Sequence, residues 1–499
     1  MHSCDLAIVG GGSAGIAAAR VARNHDLEVW LLDEQPRLGG QIYRQPPQEF
    51  KVRDWLAGTQ YEAAKSAIRT AEQLPGLKHI GSATVWGCFA RPMGSDGGRR
   101  YEVLFEKAGS LGRIDARHVI LACGCYEAPV PFPGWHLPGV MSAGGIQTLL
   151  KSQRIAAGHT VFLTGSHPLL LVVAEQLIAA GIRIAGIAFE QSRASAWRMM
   201  RSPSTLLVAR AQLLRTFRNL IELRRAGIPV WFGHAVIKAS GSRELDSVQL
   251  RDLRRGKEWT IDCDALGVCF GFLPQTELSR QVGARHVWAA EGGWVAVHDA
   301  YLRTSIAGIS VAGELAGVAG AEAAALSGEI AGLGVVRDIG RVPPSQVDNR
   351  ARELRRRWTR HRRFAAMMAE LSAPSAALLS DLARREALIC RCEDVTVGEL
   401  EDALQQDPHI ASASTAKLMT RVGMGFCQGR MCETSVRRTI ARRRGCPLEN
   451  VPPYVVRPPV KPVSIATLAS VPGALDIDPG LVAAAAAGDE QVSSAAQGV

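Results

Sequence analysis

Four cysteines near the carboxyl end are spaced as metal ligands. Cys390 and Cys392 form a CxC pair, and Cys427 and Cys432 form a CxxxxC pair further along the chain. Cysteine thiolates bind zinc and iron–sulfur clusters, and two such pairs can converge on one centre. The spacing therefore predicts a metal site, with a [2Fe–2S] cluster, a zinc ion and unliganded core thiols as the alternatives.

A glycine-rich turn near the amino end has the spacing of a phosphate cradle. Gly10, Gly12 and Gly15 follow a short apolar run and precede an alanine-rich stretch. The first glycine permits a tight turn, the second lets the backbone approach a pyrophosphate, and the third allows close packing of helix on strand. Ser13 and Ala14 then begin the helix whose N-terminus receives the phosphates. The turn predicts a dinucleotide that contains ADP.

Two acidic residues stand where the second strand of this unit is expected to end. Asp33 and Glu34 directly follow the apolar run 27–32. A carboxylate at this place accepts hydrogen bonds from the ribose hydroxyls of a bound dinucleotide. We therefore expect Asp33 and Glu34 to form the ribose end of the site.

A second strand–turn–helix pattern begins with the apolar run that ends at Gly165, and its next strand ends at Glu190. His167 and Leu170 occupy the positions of the second and third glycines. Side chains there obstruct the approach of backbone to phosphate and the packing of helix on strand. We expect Gly165 and Glu190 to mark a second nucleotide site, whose occupant stays open among FMN, ATP or ADP, NAD(P) and none.

Length and charge limit the class of protein. A chain of 499 residues exceeds one ordinary core, so two or three domains are expected. The net charge of +11 comes mostly from arginine, concentrated in 350–363 and 437–444, with a further arginine-rich amphipathic stretch at 194–225. We interpret these as solvated helix faces or subunit contacts, because no aromatic interleaving indicates nucleic-acid binding. No transmembrane segment is predicted, a cytoplasmic protein is expected, and a peripheral membrane contact stays open.

The residues after the ribose acid resemble flavoproteins with two dinucleotide-binding domains. Such proteins often carry a GG pair there, and this chain has Gly39-Gly40-Gln41. The strand that ends at Ala122 and Gly124 is similar to their ATG motif, with a cysteine where threonine is usual. The resemblance favours FAD over NAD and implies that Gly40, Gln41, Ala122 and Gly124 lie at the cofactor.

A later segment is similar to the motif with which these flavoproteins hold the ribityl chain and a phosphate. The run 304–314 ends in Gly313 and Glu314, with glutamate where aspartate is usual. The resemblance implies that Glu314 and the backbone after it contact FAD. The helix from Ala321 onward is then expected to point its N-terminus at the flavin, where the helix dipole stabilises negative charge.

Over about residues 3–455 the chain resembles the α (A) subunit of heteromeric amino-acid dehydrogenases and oxidases. This family includes opine oxidases, D-hydroxyproline dehydrogenase and dye-linked proline dehydrogenases, with hydrogen cyanide synthase as a relative. The cysteine segment is similar to the bacterioferritin-associated ferredoxin-like [2Fe–2S] module, which favours that cluster. The resemblance is carried by Gly39-Gly40-Gln41-Ile42-Tyr43-Arg44, Pro131-Phe132-Pro133-Gly134-Trp135, Leu137-Pro138-Gly139-Val140-Met141 and the Cys390 to Cys432 segment.

The resemblance implies an electron-relay role rather than substrate chemistry in this chain. A separate catalytic β subunit with its own FAD would oxidise the amino acid, and a small ferredoxin-like γ subunit is a further expected partner. The sequence contains no convincing acid/base pair, so no catalytic residue is assigned. The alternatives are a self-sufficient NAD(P)H-dependent ferredoxin or disulfide reductase, a subunit of hydrogen cyanide synthase, and a scaffold protein with zinc.

The predicted fold is α/β, with a Rossmann-like FAD domain interrupted by a second nucleotide domain and followed by a small helical [2Fe–2S] domain. The expected divisions are 1–155 with 270–342 for FAD, 156–269 for the second nucleotide, 343–385 for a linker and bridging helix, 386–455 for the cluster, and 456–499 for an extended or mobile tail.

Overall fold

The computed structural model of the chain describes residues 2–52, 62–91, 99–192, 218–289 and 293–470. Two predictions fall partly outside these ranges. They are the arginine-rich stretch, of which only a helix at 218–225 is described, and the end of the tail after residue 470.

The first sheet combines the predicted dinucleotide unit with strands that return to it. Leu6, Ala7, Ile8 and Val9 are all buried, as expected for a central parallel strand covered on both faces. Its seven strands, in spatial order, are Leu77–Ile80, Val29–Leu32, His2–Val9, Ser110–Leu121, Tyr101–Lys107 and Thr84–Ala90, with Ile309–Val311 also paired to Ser110–Leu121.

The second sheet is entirely parallel and has five strands. One edge strand, Val140–Ser142, precedes the expected domain boundary at residue 155, so the chain enters this sheet earlier than the expected division. In spatial order the strands are Val230–Phe232, Arg183–Phe189, Thr160–Gly165, Ala265–Cys269 and Val140–Ser142.

Smaller antiparallel sheets join and flank these two. The pair Cys125–Glu127 and Phe272–Pro274 lies where the chain leaves and re-enters the first sheet, so it connects the two large sheets. The others are His234–Ser240 with Ser247–Asp252 and Glu258–Asp262, His286–Ala289 with Gly293–Ala296, and Leu388–Cys390 with Val395–Thr396.

Helices cover both large sheets and form the carboxyl-terminal part. They are Ser13–Arg23, Glu62–Glu72, Ala143–Thr148 with a π-helical turn Leu149–Gln153, Leu169–Ala179, 218–225, Glu277–Gln281, Gly320–Ile339, Pro344–Ser372, Ala376–Leu382, Val397–Gln406, Ala413–Thr420, Glu433–Arg444 and Ile465–Ala469, with 3-10 turns at Gly313–Ala316 and Leu448–Asn450.

The predicted bridging helix is the longest described element, Pro344–Ser372. Proline at its first turn suits a helix start, because its missing N–H needs no partner there. Val347, Ala351 and Leu354 are buried against the first sheet's core, and the rest of the arginine-rich face is largely exposed. This run therefore has the expected solvated face.

The second arginine run departs from that expectation at Arg437, whose side chain is fully buried. Its guanidinium donates to the carbonyls of Val451 (2.7 Å) and Leu448 (2.8 Å) and lies over the rings of Trp288 and Trp294. Two carbonyls and two aromatic faces replace water around the charge. The residue thus joins the carboxyl-terminal helices to a distant hairpin.

The helices Val397–Gln406, Ala413–Thr420 and Glu433–Arg444 share a core of their own, which we call the cysteine module. The chain that follows returns to the first sheet as extended backbone. Val460 N–H donates to the carbonyl of Trp86 (2.9 Å), and Thr467 donates to the carbonyl of Gly109 (2.9 Å). The described part of the tail is therefore anchored. None of the helices within the described ranges is both long and apolar enough to cross a membrane.

Candidate functional site

The turn at Gly10 lies between the strand His2–Val9 and the helix Ser13–Arg23, as predicted. Gly10 has a φ of 109°, and a Cβ there would lie 2.3 Å from the carbonyl oxygen of Ala122. A Cβ at Gly15 would lie 1.8 Å from the carbonyl oxygen of Gly10, whereas one at Gly12 would meet nothing nearer than 3.7 Å. Two of the glycines are thus required by packing, and Gly12 alone leaves an open face.

That open face borders a cavity of about 780 Å³, within the range of about 300–1,000 Å³ that is usual for cofactor sites. The cavity extends from the Gly10 turn past the connecting strands to the second sheet and the cysteine module. Of the predicted cofactor residues, those that line it are Gly10, Gly12, Ser13, Ala14, Asp33, Glu34, Gly40, Gln41, Ala122, Gly124, Gly313 and Glu314. Gly15, Gly165 and Glu190 do not.

The ribose end of the cavity carries both predicted acids. Asp33 accepts hydrogen bonds from the backbone N–H of Gly11 and of Gln35 (2.6 Å to the latter), and burial raises the pKa of this carboxyl. Glu34 forms an ion pair with Lys461 of the tail. Asp33 therefore shapes the turn, while a carboxylate oxygen keeps lone pairs for a ribose hydroxyl.

Gln41 has a role that its predicted contact with FAD did not include. Its side-chain amide donates to the carbonyl of Cys125 (2.9 Å). Its own carbonyl accepts from Lys151 (2.5 Å), which also donates to Gln147 (3.1 Å). Burial lowers the pKa of Lys151 to about 7. The loop after the glycine pair is thus held to the connecting strand and to the second sheet's first helix.

Glu314 lines the cavity and also makes contacts that the motif did not include. Its carboxylate accepts from the backbone N–H groups of Ala319 (2.7 Å) and Gly320 (3.2 Å), at the start of the helix Gly320–Ile339. Glu314 itself belongs to the preceding 3-10 turn, so its side chain reaches forward to this helix. The N-terminus of the helix borders the cavity and already carries this carboxylate.

Glu127 is a cavity residue that the motifs did not indicate. It lies on the connecting strand Cys125–Glu127, and its Oε2 accepts from the backbone N–H of Gly144 (2.9 Å). Its Oε1 is buried and has no hydrogen-bond partner among the described residues. Burial raises the pKa of the carboxyl. An acid three residues past Gly124 was visible in the sequence, but nothing in its spacing linked it to a site.

The second predicted nucleotide turn repeats the tight backbone of the first. Gly165 has a φ of 148°, and a Cβ there would lie 1.9 Å from the carbonyl oxygen of Cys269. His167 packs edge-on against Phe272 and also lines the cavity, and burial lowers the pKa of its imidazole to about 4, so the ring is neutral. Leu170 is fully buried in the core of this unit. Side chains therefore stand at both positions where the first unit has its later glycines.

The acid at the end of this unit's second strand is engaged as well. Glu190 accepts from the backbone N–H of Ser375 (2.8 Å), just before the helix Ala376–Leu382. Gly165 and Glu190 are therefore not brought together with the other predicted cofactor residues.

The four predicted ligand cysteines come together in the cysteine module. The Cys432 thiol donates to the Cys390 sulfur, and this bond, with backbone N–H groups such as that of Gly423, lowers the pKa of Cys390 to about 6. Cys427 and Cys392 form a second contacting pair. Thiolates surrounded by N–H donors suit the sulfur-rich charge of an iron–sulfur cluster.

Arrangement in two pairs also bears on the zinc alternative. A structural zinc ion takes four ligands around one point. In a [2Fe–2S] cluster four cysteines serve two irons, and two contacting pairs of thiols suit that donor set.

Arg430 joins the cysteine module to the cavity. It lies between two of the ligands, and its guanidinium donates to the carbonyls of Cys427 (3.1 Å) and Val460 (2.6 Å). Its Nε lies 2.9 Å from a carboxylate oxygen of Glu277, in the helix Glu277–Gln281. Arg430 and Thr434 line the same cavity as Gly12. One side chain thus connects a ligand loop, the tail and the wall of the predicted flavin site.

Comparison with known families supports both halves of this arrangement. Residues 4–329 match the family model described as pyridine nucleotide-disulphide oxidoreductase, and residues 388–442 match that of the BFD-like [2Fe-2S] binding domain. The predicted α/β flavoprotein fold, the FAD and the [2Fe–2S] module are confirmed by these matches.

Individual proteins extend the likeness over most of the chain. The HcnB component of hydrogen cyanide synthase from Pseudomonas aeruginosa is 35% identical over 85% of this chain and 90% of its own length. The A component of opine oxidase from Agrobacterium tumefaciens is 34% identical over 94% of this chain and 92% of its own. The crystal structure of L-proline dehydrogenase from P. horikoshii covers 93% of this chain and 79% of that one, with a TM-score of 0.67 and 22% identity, which shows a shared fold.

Proposed function

We propose a role for this chain from its family. The chain belongs to the pyridine nucleotide-disulphide oxidoreductase family, and its relatives include the opine oxidase A component and HcnB from hydrogen cyanide synthase. It is the electron-transfer subunit of a heteromeric amino-acid dehydrogenase or oxidase of opine, hydroxyproline or proline type. It relays electrons between a catalytic partner and a further acceptor through FAD and a [2Fe–2S] cluster.

The main support for the proposal is that residues of the cysteine module line the cavity predicted to hold FAD. The cavity that begins at Gly12 ends at Arg430 and Thr434 of the cysteine module. Arg430 also donates to the carbonyl of a ligand cysteine, Cys427. The two sites are therefore neighbours, which is the arrangement that electron exchange between them requires.

The chain's own residues would hold the cofactors as follows. Gly12 and the N-terminus of the helix Ser13–Arg23 suit a pyrophosphate, and Asp33 with Glu34 suits a ribose. The ligands of the cluster would be Cys390, Cys392, Cys427 and Cys432. When bound, FAD would supply two-electron chemistry and the cluster would supply one-electron chemistry.

The proposed partner supplies the substrate chemistry. The relatives are named as subunits, which indicates partner subunits for this chain. We assign removal of hydride from the amino acid to a β subunit with its own FAD, and we include a small ferredoxin-like γ subunit. The sequence offers no convincing acid/base pair for substrate chemistry in this chain, which supports this division of labour.

We further propose that the chain is divided into domains as expected from the sequence, with one change. The chain enters the second sheet at Val140, before the expected boundary at residue 155. The second domain serves as a wall of the cavity, through residues such as Pro168 and Leu169. A self-sufficient NAD(P)H-dependent reductase would need a nicotinamide pocket at Gly165, where His167 and Leu170 are packed instead.

Coexpression tests the division of labour. The chain purified together with its partner subunits should reduce a dye with an opine, hydroxyproline or proline as donor, and the chain alone should not. Robust amino-acid oxidation by the isolated chain would overturn the assignment.

Two cysteine variants provide the matched comparison for the cluster. Cys392→Ser in the complex should abolish transfer to a one-electron acceptor while flavin content stays normal, because a ligand is lost. Cys446→Ser, in the same module but outside the two pairs, should keep both cofactors. Equal iron content in the two variants would contradict the assignment of ligands.

A component of hydrogen cyanide synthase is the second candidate, favoured by the 35% identity to HcnB. Measuring cyanide release by the assembled complex distinguishes this candidate from the amino-acid dehydrogenase or oxidase. A complex that releases cyanide and does not oxidise opines or imino acids would establish the second candidate.

A further inference from the structure

Six carboxylic acids line the cavity, and they differ in how their charge is compensated. They are Asp33, Glu34, Glu127, Glu175, Glu277 and Glu314. Asp33 and Glu314 each accept from two backbone N–H groups, and Glu34 and Glu277 each form an ion pair. Glu175 accepts from the side-chain amide of a neighbouring asparagine. These five have a partner that stabilises the ionised form.

Glu127 has no cation beside it, and its partners are neutral donors: the Ser142 hydroxyl, the Gly144 N–H, the Cys269 thiol and the Ala143 N–H, whose combined effect on the pKa of the carboxyl is outweighed by burial. Its Oε2 accepts from Gly144, and the space around that oxygen is so tight that a Cβ at Gly144 would lie 2.6 Å from it. Its Oε1 is buried at the cavity and has no partner among the described residues. A buried carboxylate with one free oxygen is costly to leave ionised unless a cation or a donor arrives.

No charge in the described surroundings offsets Glu127. The titratable groups that face it are Cys125 on its own strand and Cys269 at the end of the second sheet, with Ser142 as the nearest hydroxyl. Burial raises the pKa of both thiols well above the usual value, so they are neutral.

We propose that Glu127 is the proton-holding residue of the flavin cavity, whose free oxygen takes up a solvent proton when the flavin is reduced and releases it on reoxidation. This rests on the proposed binding of FAD. The two electrons come from the catalytic partner and leave through the cluster. One O–H bond forms at Oε1 on reduction and breaks on reoxidation, so charge returns to its starting value in each cycle.

The physical reason is repulsion between like charges inside one cavity. Electrons that enter a flavin bound in this cavity would add negative charge near a carboxylate that no cation faces, which would raise the pKa of that carboxyl further. Glu34 and Glu277 respond less because each has a cation, and Asp33 and Glu314 because both of their oxygens already accept hydrogen bonds. Reduction of the flavin and protonation of Glu127 are therefore linked.

The test is the pH dependence of the flavin's reduction potential in the purified holo chain. Glu127→Gln keeps an acceptor for Gly144 but cannot take up the proton. Over part of the range from pH 6 to 9, the wild-type potential should fall more steeply with pH than that of the variant. One extra proton per two electrons corresponds to a tenfold change per pH unit, or about 30 mV.

Glu175→Gln, which removes a different cavity acid, should keep the wild-type slope. Equal slopes in the wild type and Glu127→Gln would overturn the inference, because a merely structural role at Gly144 changes stability without changing the slope. If Glu127→Gln fails to fold, proton uptake on photoreduction of the wild type decides: uptake of the same number of protons at pH 6, 7, 8 and 9 contradicts the proposal. A wild-type chain without flavin would instead refute the proposed function.

Discussion

The two strand–turn–helix units have the same order of elements and differ in what fills their turns. In the first unit, the middle glycine position, Gly12, has open space in front of it. In the second, the corresponding position is His167, packed against Phe272. The acid that ends the second strand also differs, because Asp33 faces the cavity and Glu190 binds the backbone of Ser375. The same architecture thus leaves open space at the middle glycine position of one unit and places a side chain at that position in the other.

Gly165→Ala should have the largest effect on stability. A Cβ there would lie 1.9 Å from the carbonyl oxygen of Cys269 at a φ of 148°, so both the contact and the backbone are strained. We expect the free energy of unfolding to fall by about 3 kcal/mol. Denaturant unfolding of the purified chain measures it, and an unchanged midpoint would show that the backbone at Gly165 does not pack against Cys269 as described.

Gly12→Ala should weaken FAD binding and leave stability almost unchanged. Its Cβ would meet nothing nearer than 3.7 Å, so stability should change little. The added methyl group would stand between the backbone and the pyrophosphate, and we expect FAD affinity to fall at least tenfold, about 1.4 kcal/mol. Flavin retention during dialysis measures the loss. Full retention would mean that the dinucleotide does not lie at this turn.

Lys151→Met tests the contact between the first and second strand–turn–helix units, in which Lys151 donates a hydrogen bond to the carbonyl of Gln41. Burial lowers the pKa of Lys151 to about 7 in the folded chain, below its usual 10.5. Between these values the unfolded state binds a proton that the folded state lacks, so the free energy of unfolding rises with pH. Relative to the variant, the wild type should gain up to about 1.4 kcal/mol per pH unit from pH 7 to 10.

The measurement for Lys151→Met is denaturant unfolding of both proteins at several pH values. Parallel pH profiles would show that the ammonium group is solvated in the folded state. A constant offset between parallel curves would reflect only the lost hydrogen bonds.

His167→Gly should have the smallest effect. Removing the ring opens one position, but Leu170 remains in the core and Glu190 remains bound to Ser375. We expect neither the wild type nor the variant to have its flavin bleached by NADH or NADPH under anaerobic conditions. Rapid bleaching of the wild type would show that the second unit accepts a nicotinamide and would remove the contrast between the units.

Much of the fold could be predicted because its signals are local. The glycine spacing with its flanking apolar runs predicted the first unit, and the paired cysteines predicted where four thiols meet. Both patterns are set by backbone geometry over a few residues. The same reasoning located the second unit and recognised that His167 and Leu170 disagree with a phosphate cradle.

What was missed depends on contacts between distant parts of the chain. Arg437 is one residue of a charged run in the sequence, and its burial requires Trp288 and Trp294 from a separate hairpin. Arg430 and Glu127 have no distinctive spacing, and their positions at the cavity follow from how modules pack. Glu314 accepts hydrogen bonds at the start of the following helix, a contact that the motif comparison did not include.

Electron transfer from flavin to cluster within one chain is the most direct test of the account. The chain, purified anaerobically with iron supplied, is reduced by light at the flavin and then examined by electron paramagnetic resonance. We predict one FAD with about two irons and two sulfides per chain, and a cluster signal that grows as the flavin gives up its electrons. A cluster that stays oxidised beside a fully reduced flavin, or a chain that holds neither cofactor, would contradict it.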